Sequence, residues 1–150
     1  NTNITAYHIL TKLYLKDMKQ KDKGQILNVA SIAGFMPGPL MATYYATKAY
    51  VVRLSEAIRE ELKKEKSNVK ISILCPGPVD TNFNNVADVE FSIKGLSSKY
   101  VAKYAVKKLE KNKFYIVPGF SIKCAKIGAK IAPTGLVSKI SYKMQKRKIK

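Results

Sequence analysis

Three side chains of this sequence have the types and spacing needed for proton transfer at a carbonyl or alcohol carbon. Tyr44 and Lys48 stand four residues apart at the start of a stretch with helical periodicity, so their side chains share one helix face. An ammonium beside a phenol favours the phenolate and lowers its pKa from about 10 toward working pH. A phenol tuned in this way can give or take a proton, and the Ser31 hydroxyl can hydrogen-bond the same substrate oxygen.

The elements that must position these residues alternate along the chain. Apolar residues recur at helical spacing in three long segments, 4–18, 43–64 and 98–110. Apolar runs of strand length form three short segments, 25–30, 69–74 and 114–117. Strands that alternate with helices of this length predict a parallel α/β sheet. Ser31 directly follows the first strand, at the carboxyl end where α/β proteins place ligand sites.

Further segments extend the pattern around these residues. They read N-V-A-S-I-A-G at 28–34, Y-Y-A-T-K at 44–48 and C-P-G-P-V-D-T at 75–81. With them the chain resembles the short-chain dehydrogenase/reductase family over residues 1–120. The likeness is nearest to bacterial ketoreductase-like and hydroxysteroid-dehydrogenase-like members. The resemblance implies an oxidoreductase that transfers hydride between a nicotinamide cofactor and a carbonyl or alcohol.

The resemblance also implies a catalytic role for four residues. Tyr44 is the general acid/base, Lys48 lowers its pKa and holds the nicotinamide ribose, and Ser31 positions the substrate oxygen. Asn3, in the N-I-T-A segment that is similar to the family's catalytic helix, holds a water of the proton relay. A helix N-cap is the alternative for Asn3. Tyr45 competes with Tyr44, but it stands only three residues before Lys48, which departs from the family's spacing.

The expected cofactor is NAD or NADP, with NADP favoured. Besides Tyr44 and Lys48, the resemblance places four residues at this cofactor: Pro76, Gly77 and Val79 along the nicotinamide, and Thr81 near its carboxamide. No metal site is expected, because the sequence has a single histidine, His8, and its two cysteines, Cys75 and Cys124, stand far apart.

The sequence departs from the family at its amino-terminal end. The family begins with a strand and a Gly-rich turn for the dinucleotide pyrophosphate, and no G-x-x-x-G-x-G precedes Asn3. We therefore expect residues 1–120 to be the carboxyl-terminal, catalytic half of a Rossmann-like, doubly wound parallel sheet whose N-terminal cofactor-binding strands are missing. Such a fragment is expected to be inactive alone, and a homo-oligomer is expected at full length.

Residues 121–150 are expected to form a basic helical extension. They contain nine Lys or Arg and no acid, with a short helix at 122–131, a break at Pro133 and a last helix to the end. The last helix has one narrow apolar face and a lysine-rich remainder. Residues 134–150 therefore suit peripheral contact with anionic lipid. Docking of this helix on the body of the protein is the alternative.

Two segments, 36–41 and 83–96, flank the proposed site. In the second, five apolar residues either line a substrate pocket or close the core beneath a loop: Phe83, Val86, Val89, Phe91 and Ile93. An apolar pocket favours a lipid-like, steroid-like or acyl substrate over a sugar.

A different function class competes with the oxidoreductase. The net charge of +18 suggests a non-catalytic basic module that binds an anionic membrane or nucleic acid. No aromatic-basic RNA motif or recognition-helix arrangement stands out, so we expect a small-molecule carbonyl or alcohol as partner and no nucleic acid. The expected location is cytoplasmic, with peripheral contact at the inner face of a membrane.

Overall fold

The computed structural model describes residues 2–81 and 95–146. Within these ranges the helices are α1 (Thr5–Gln20), α2 (Ala42–Lys64), α3 (Ser98–Leu109), α4 (Phe120–Ile131) and α5 (Thr134–Lys146). The strands are β1 (Gln25–Val29), β2 (Lys70–Leu74), β3 (Val79–Asp80), β4 (Leu96–Ser97) and β5 (Tyr115–Ile116). The helices and strands predicted within 4–131 agree with these bounds to within two residues at each end.

Strands β1, β2 and β5 form a parallel sheet in that spatial order. Gln25 pairs with Lys70 at one end of the β1–β2 ladder and Val29 pairs with Leu74 at the other. Parallel neighbours require a crossover connection, which α2 supplies between β1 and β2. The predicted parallel α/β sheet is confirmed.

Helices cover both faces of this sheet, and the side chains of β2 alternate between the two faces. Ile71 and Ile73 belong to a core cluster with Val52 and Leu62 of α2. Leu74 belongs to a second cluster, which includes Val101, from α3 on the opposite face. This double covering explains why β2 reads as a nearly continuous apolar run rather than as an alternating one.

A two-stranded parallel ladder, β3–β4, was not predicted from the sequence. It begins where Pro78 accepts a hydrogen bond of 3.0 Å from the Leu96 amide. Gly95 allows this approach, since a Cβ there would lie 2.8 Å from the Asp80 backbone nitrogen. The ladder brings the residues after 94 back beside the carboxyl end of β2.

The described helices and the described ranges bear on two of the sequence expectations. None of their helices is both long and apolar enough to cross a lipid bilayer. The five apolar residues expected at a substrate pocket or core all lie outside the described residues: Phe83, Val86, Val89, Phe91 and Ile93.

Candidate active site

A cavity of about 770 Å³ opens at the carboxyl ends of β1 and β2. Its volume falls within the usual range for ligand sites. The lining includes all eight residues expected at the site: Asn3, Ser31, Tyr44, Lys48, Pro76, Gly77, Val79 and Thr81. The fold therefore gathers into one cavity residues that stand up to 78 positions apart in the sequence.

Backbone pairing that continues past the strand ends brings two of the sequence segments together. The Ala30 amide donates to the Leu74 carbonyl at 2.8 Å, and the Ile32 amide donates to the Pro76 carbonyl at 2.9 Å. Ser31 lies between these two bonds, and its Oγ is 3.5 Å from the Pro76 carbonyl oxygen. The serine and the proline–glycine segment are thus side by side at the cavity.

A short 3₁₀ helix over Ile32–Phe35 sets the orientation of Ser31. Ser31 is its N-cap, and the Ala33 amide donates to Ser31 Oγ at 3.2 Å. Gly34 lets this turn pack against α2, because a Cβ there would lie 2.7 Å from the Lys48 carbonyl oxygen. The close packing brings Ser31 to Tyr44, and the two side chains are hydrogen-bonded.

The ionisation of Tyr44 differs from the sequence expectation. Burial raises the pKa of the Tyr44 phenol, and the hydrogen bond from Ser31 opposes that shift. The Lys48 ammonium lies 5.8 Å from the centre of the Tyr44 ring and donates to the Val29 carbonyl at 3.4 Å. The predicted lowering of the Tyr44 pKa is therefore not seen, because the ammonium lies over the ring and bonds a backbone oxygen.

Tyr7 does not line this cavity but contacts its lysine, a contact that the sequence did not predict. Its hydroxyl donates to the Val29 carbonyl at 2.7 Å, the same oxygen that accepts from Lys48. Its ring centre is 5.7 Å from the Lys48 ammonium, so the rings of Tyr7 and Tyr44 both flank that cation. Burial lowers the pKa of Lys48 and raises that of Tyr7. No sequence signal marked Tyr7, because Asn3 precedes α1 and helical spacing does not relate the two residues.

Asn3 is exposed at the cavity, one residue before the cap of α1. The N-cap of α1 is Ile4, and no side chain caps the helix. The alternative of a helix N-cap for Asn3 is therefore wrong. Its place at the cavity leaves the role in a proton relay as a prediction.

Tyr45 points to a different partner from Tyr44. Its hydroxyl accepts a hydrogen bond of 2.5 Å from Gln145 Nε2. Its ring packs against Gly38, where a Cβ would lie 2.1 Å from the nearest ring atom. The two tyrosine rings are nearly perpendicular, with an interplanar angle of 76°. The geometry thus separates the two tyrosines and directs Tyr44, not Tyr45, to Ser31.

Helices α4 and α5 form much of the cavity wall. Most of the side chains they contribute are apolar: Ile122, Ala125, Ala129, Val137, Ile140 and Met144. Helix α5 docks on the body through Val137, Ser141 and Gln145, which are buried. The structure therefore shows the docking that the sequence analysis left as an alternative to lipid contact. The division of the chain at residue 120 stays a prediction.

The described residues contain no cluster of side chains that could bind a metal ion. No group of three or more His, Cys, Asp or Glu that could hold a metal ion occurs within 2–81 and 95–146. Cys75 is buried, and burial raises the pKa of its thiol to about 12, so it is a packed side chain and not a reactive thiolate.

The described residues fit one part of a nicotinamide dinucleotide. Hydroxyl and ammonium donors at Ser31, Tyr44 and Lys48 line a cavity whose other walls are largely apolar, which suits a ribose joined to a nicotinamide ring. The sequence has no G-x-x-x-G-x-G turn to receive a pyrophosphate. The donor set thus matches the nicotinamide riboside portion.

A parallel sheet with helices on both faces and a Ser–Tyr–Lys set at its carboxyl edge defines a dehydrogenase-like α/β protein. A family model described as short chain dehydrogenase matches residues 1–90. The chain belongs to this family.

Curated relatives carry related names. The chain is 36% identical over 116 residues to "Ketoacyl reductase HetN" from Nostoc sp. (strain PCC 7120), a match that covers 75% of this chain and 39% of the relative. It is 42% identical over 79 residues to human "17-beta-hydroxysteroid dehydrogenase type 3", with 53% of this chain and 25% of the relative covered. The matched segments thus cover well under half the length of each of these relatives.

Solved structures show the same fold. A short-chain dehydrogenase from Sphingobium yanoikuyae in complex with NADPH matches with a TM-score of 0.74 and 23% identity, over 89% of this chain and 52% of that one. A 7beta-hydroxysteroid dehydrogenase matches with a TM-score of 0.78 and 20% identity, over 95% of this chain and 55% of that one.

Proposed function

We propose that this chain carries the catalytic half of an NAD(P)-dependent oxidoreductase that transfers hydride between a nicotinamide cofactor and a carbonyl/alcohol pair. The observation that carries the proposal is the hydrogen bond between Ser31 and Tyr44, with Lys48 against the same tyrosine ring, inside one cavity at the sheet edge. Membership of the short chain dehydrogenase family supports it.

The proposed chemistry assigns each polar group one task. The Ser31 and Tyr44 hydroxyls hydrogen-bond the substrate oxygen and polarise the carbonyl carbon. A bound reduced nicotinamide would supply a hydride to that carbon, and the Tyr44 phenol would give its proton to the oxygen. In the reverse direction the Tyr44 phenolate takes the alcohol proton. The raised pKa keeps the phenol protonated near neutral pH, which suits carbonyl reduction.

Lys48 is proposed to hold the cofactor. An ammonium has three donors, and the Val29 carbonyl accepts from one of them at 3.4 Å. We assign the cofactor ribose hydroxyls to the others. Pro76, Gly77 and Val79 are proposed to lie along the nicotinamide, with Thr81 at its carboxamide, since all four line the cavity. We propose NAD or NADP as the cofactor, with NADP favoured; the structural neighbours include complexes with NADPH, NADP and NAD.

The substrate is proposed to be apolar, such as a lipid-, steroid- or acyl-like carbonyl compound. The apolar side chains that α4 and α5 contribute to the wall leave little to hydrogen-bond a sugar. The names of the ketoacyl reductase and hydroxysteroid dehydrogenase relatives agree with this class. We also propose that the 150 residues are inactive by themselves, as the absent pyrophosphate turn suggests.

The remaining proposals concern the location of the protein, its oligomeric state and its contact with a membrane. We propose a cytoplasmic protein that forms a homo-oligomer at full length and contacts the inner face of a membrane through residues 134–150. Exposed Leu13 and Tyr14 on α1 support an oligomer, because a second subunit would bury them. Exposed Leu136 and Ile140 on α5 support the membrane contact.

Substitution of the two neighbouring tyrosines tests the function in the full-length protein that contains this chain. Tyr44→Phe should lower carbonyl-dependent NADPH oxidation at least about 10²-fold while cofactor binding, measured by fluorescence, is retained. Tyr45→Phe is the matched control and should keep most of the turnover. Unchanged turnover in Tyr44→Phe would refute the assigned role.

A further inference from the structure

Helix α4 carries apolar residues on two opposite faces. Ile122, Ala125 and Ala129 line the cavity. Phe120, Ile127 and Ile131 follow at intervals of seven and four, so they form a line along the other side of the helix, where they are 82%, 58% and 77% exposed. An apolar line turned to water marks a surface that binds something apolar.

Helix α5 carries a second exposed apolar line, part of which lines the cavity. Leu136, Ile140 and Met144 follow one another at intervals of four and are 51%, 52% and 39% exposed. Ile140 and Met144 also line the cavity. We call the six exposed residues of the two helices the α4–α5 surface: Phe120, Ile127, Ile131, Leu136, Ile140 and Met144.

Lysines border the α4–α5 surface with a repeated spacing. On each helix a lysine follows an apolar member by three residues, which places it on the adjacent strip of the helix surface. The four pairs are Phe120 with Lys123, Ile127 with Lys130, Leu136 with Lys139, and Ile140 with Lys143. No acidic residue occurs anywhere in 121–150 to neutralise these lysines.

This pattern of lysines favours an anionic lipid surface over a second copy of the chain as the partner. A second copy docked by two-fold symmetry would place the same lysine strips against each other with no acid between them, and like charges repel. An anionic lipid surface offers phosphates for the lysines and, just beneath them, an acyl boundary for the apolar lines.

We propose that the α4–α5 surface binds an anionic lipid membrane, with its apolar lines in the headgroup–acyl boundary and its lysines at the lipid phosphates. The contact thus includes α4 as well as the carboxyl-terminal helix. Two members of the α5 line, Ile140 and Met144, also line the cavity. Delivery of an apolar carbonyl compound from the membrane to the cavity rests on the proposed function.

Vesicle co-sedimentation of the full-length protein tests the surface. The vesicles contain either phosphatidylcholine alone or equal parts of phosphatidylcholine and phosphatidylglycerol. We expect binding to the anionic vesicles, weakened about tenfold or more by the pair Phe120→Ser and Ile131→Ser. Lys130→Gln and Lys139→Gln should weaken it roughly fivefold for each lysine removed, and only on anionic vesicles.

The pair Tyr100→Ser and Val106→Ser on α3 is the matched control. It removes two side chains that are 47% and 55% exposed and that belong to neither α4 nor α5. The proposal would be overturned if the two double variants lost the same amount of vesicle binding. It would also be overturned if the wild-type protein bound neutral and anionic vesicles equally, or bound neither. If the protein is a dimer without lipid and the Phe120 and Ile131 substitutions make it monomeric, a second copy of the chain is the partner and the proposal is overturned. These experiments measure vesicle binding and not turnover. The proposed function is tested independently by the turnover of Tyr44→Phe.

Discussion

The Tyr45 hydroxyl accepts a hydrogen bond of 2.5 Å from Gln145, which stands 100 residues later in the chain. This bond ties the last described helix to the first turn of the helix that carries Tyr44 and Lys48. Gln145 is 3% exposed, and its Oε1 has no hydrogen-bond partner among the described residues. The carboxyl-terminal helix is thus joined to the catalytic helix as well as packed over the cavity.

We expect Gln145→Ala to loosen α5. The change removes the bond to Tyr45 and leaves a gap under the helix, at a cost of about 1–3 kcal/mol in the free energy of unfolding. Urea unfolding measures the loss, and limited proteolysis should release the carboxyl-terminal helix first. Lys143→Ala, on the exposed side of the same helix, is the control. Equal stability of the two variants would show that the Tyr45–Gln145 bond does not hold α5.

The hydrogen bond between Ser31 and Tyr44 predicts a shift in pH dependence. It lowers the pKa of the phenol, so Ser31→Ala should raise that pKa further. Alcohol oxidation requires the phenolate, and its rate should therefore need a higher pH in the variant. Its kcat should also fall roughly 10²-fold through loss of a donor to the substrate oxygen. Ser31→Thr keeps the hydroxyl and should restore both properties. A pH profile that stays in place or moves to lower pH would contradict the assignment.

Tyr7 is predicted to position Lys48. Its ring lies beside the ammonium, and its hydroxyl shares the Val29 carbonyl with it. Tyr7→Leu removes the ring and should raise the KM for the cofactor several-fold through the displaced ammonium, with a smaller effect on kcat. Tyr7→Phe keeps the ring and should lie close to wild type. If Tyr7→Phe and Tyr7→Leu raise the KM equally, the ring does not position Lys48.

Asp22 predicts a stability that depends on pH. Its carboxylate accepts hydrogen bonds from the Asn68 amide at 2.8 Å, from Ser67 Oγ at 2.9 Å and from Asn68 Nδ2 at 2.7 Å. These bonds, the one from the Asn68 backbone first, lower the carboxyl pKa. A folded pKa below the unfolded one stabilises the protein above about pH 4, and the gain is lost as the pH falls through the lowered value.

Asp22→Asn should therefore lower the urea midpoint at neutral pH and approach wild type near pH 2–3. Asp17→Asn on α1, which removes a carboxylate elsewhere, is the control and should keep the urea midpoint close to wild type at neutral pH. A deficit in Asp22→Asn that is the same at both pH values would indicate lost packing rather than a lost carboxylate.

Local patterns predicted most of the regular structure. Periodicity placed the three long helices and the three strands of the parallel sheet, because each buries an apolar face whose period the sequence shows. It did not predict β3–β4, whose strands are two residues long and are held mainly by backbone hydrogen bonds. Gln145 was also missed, since one amide on a basic helix gives no sign of burial.

The sequence by itself determined which chemistry the chain can carry. The four-residue spacing of Tyr44 and Lys48 puts them on one helix face wherever that helix lies, and Ser31 had to follow a strand. Only the tertiary structure decided that Ser31 meets Tyr44 rather than Tyr45, that the Lys48 ammonium lies 5.7 and 5.8 Å from two tyrosine ring centres, and that the carboxyl-terminal helix lines the cavity. Helical spacing is a local property of the backbone, whereas these contacts depend on how sheet register and helix packing place distant segments.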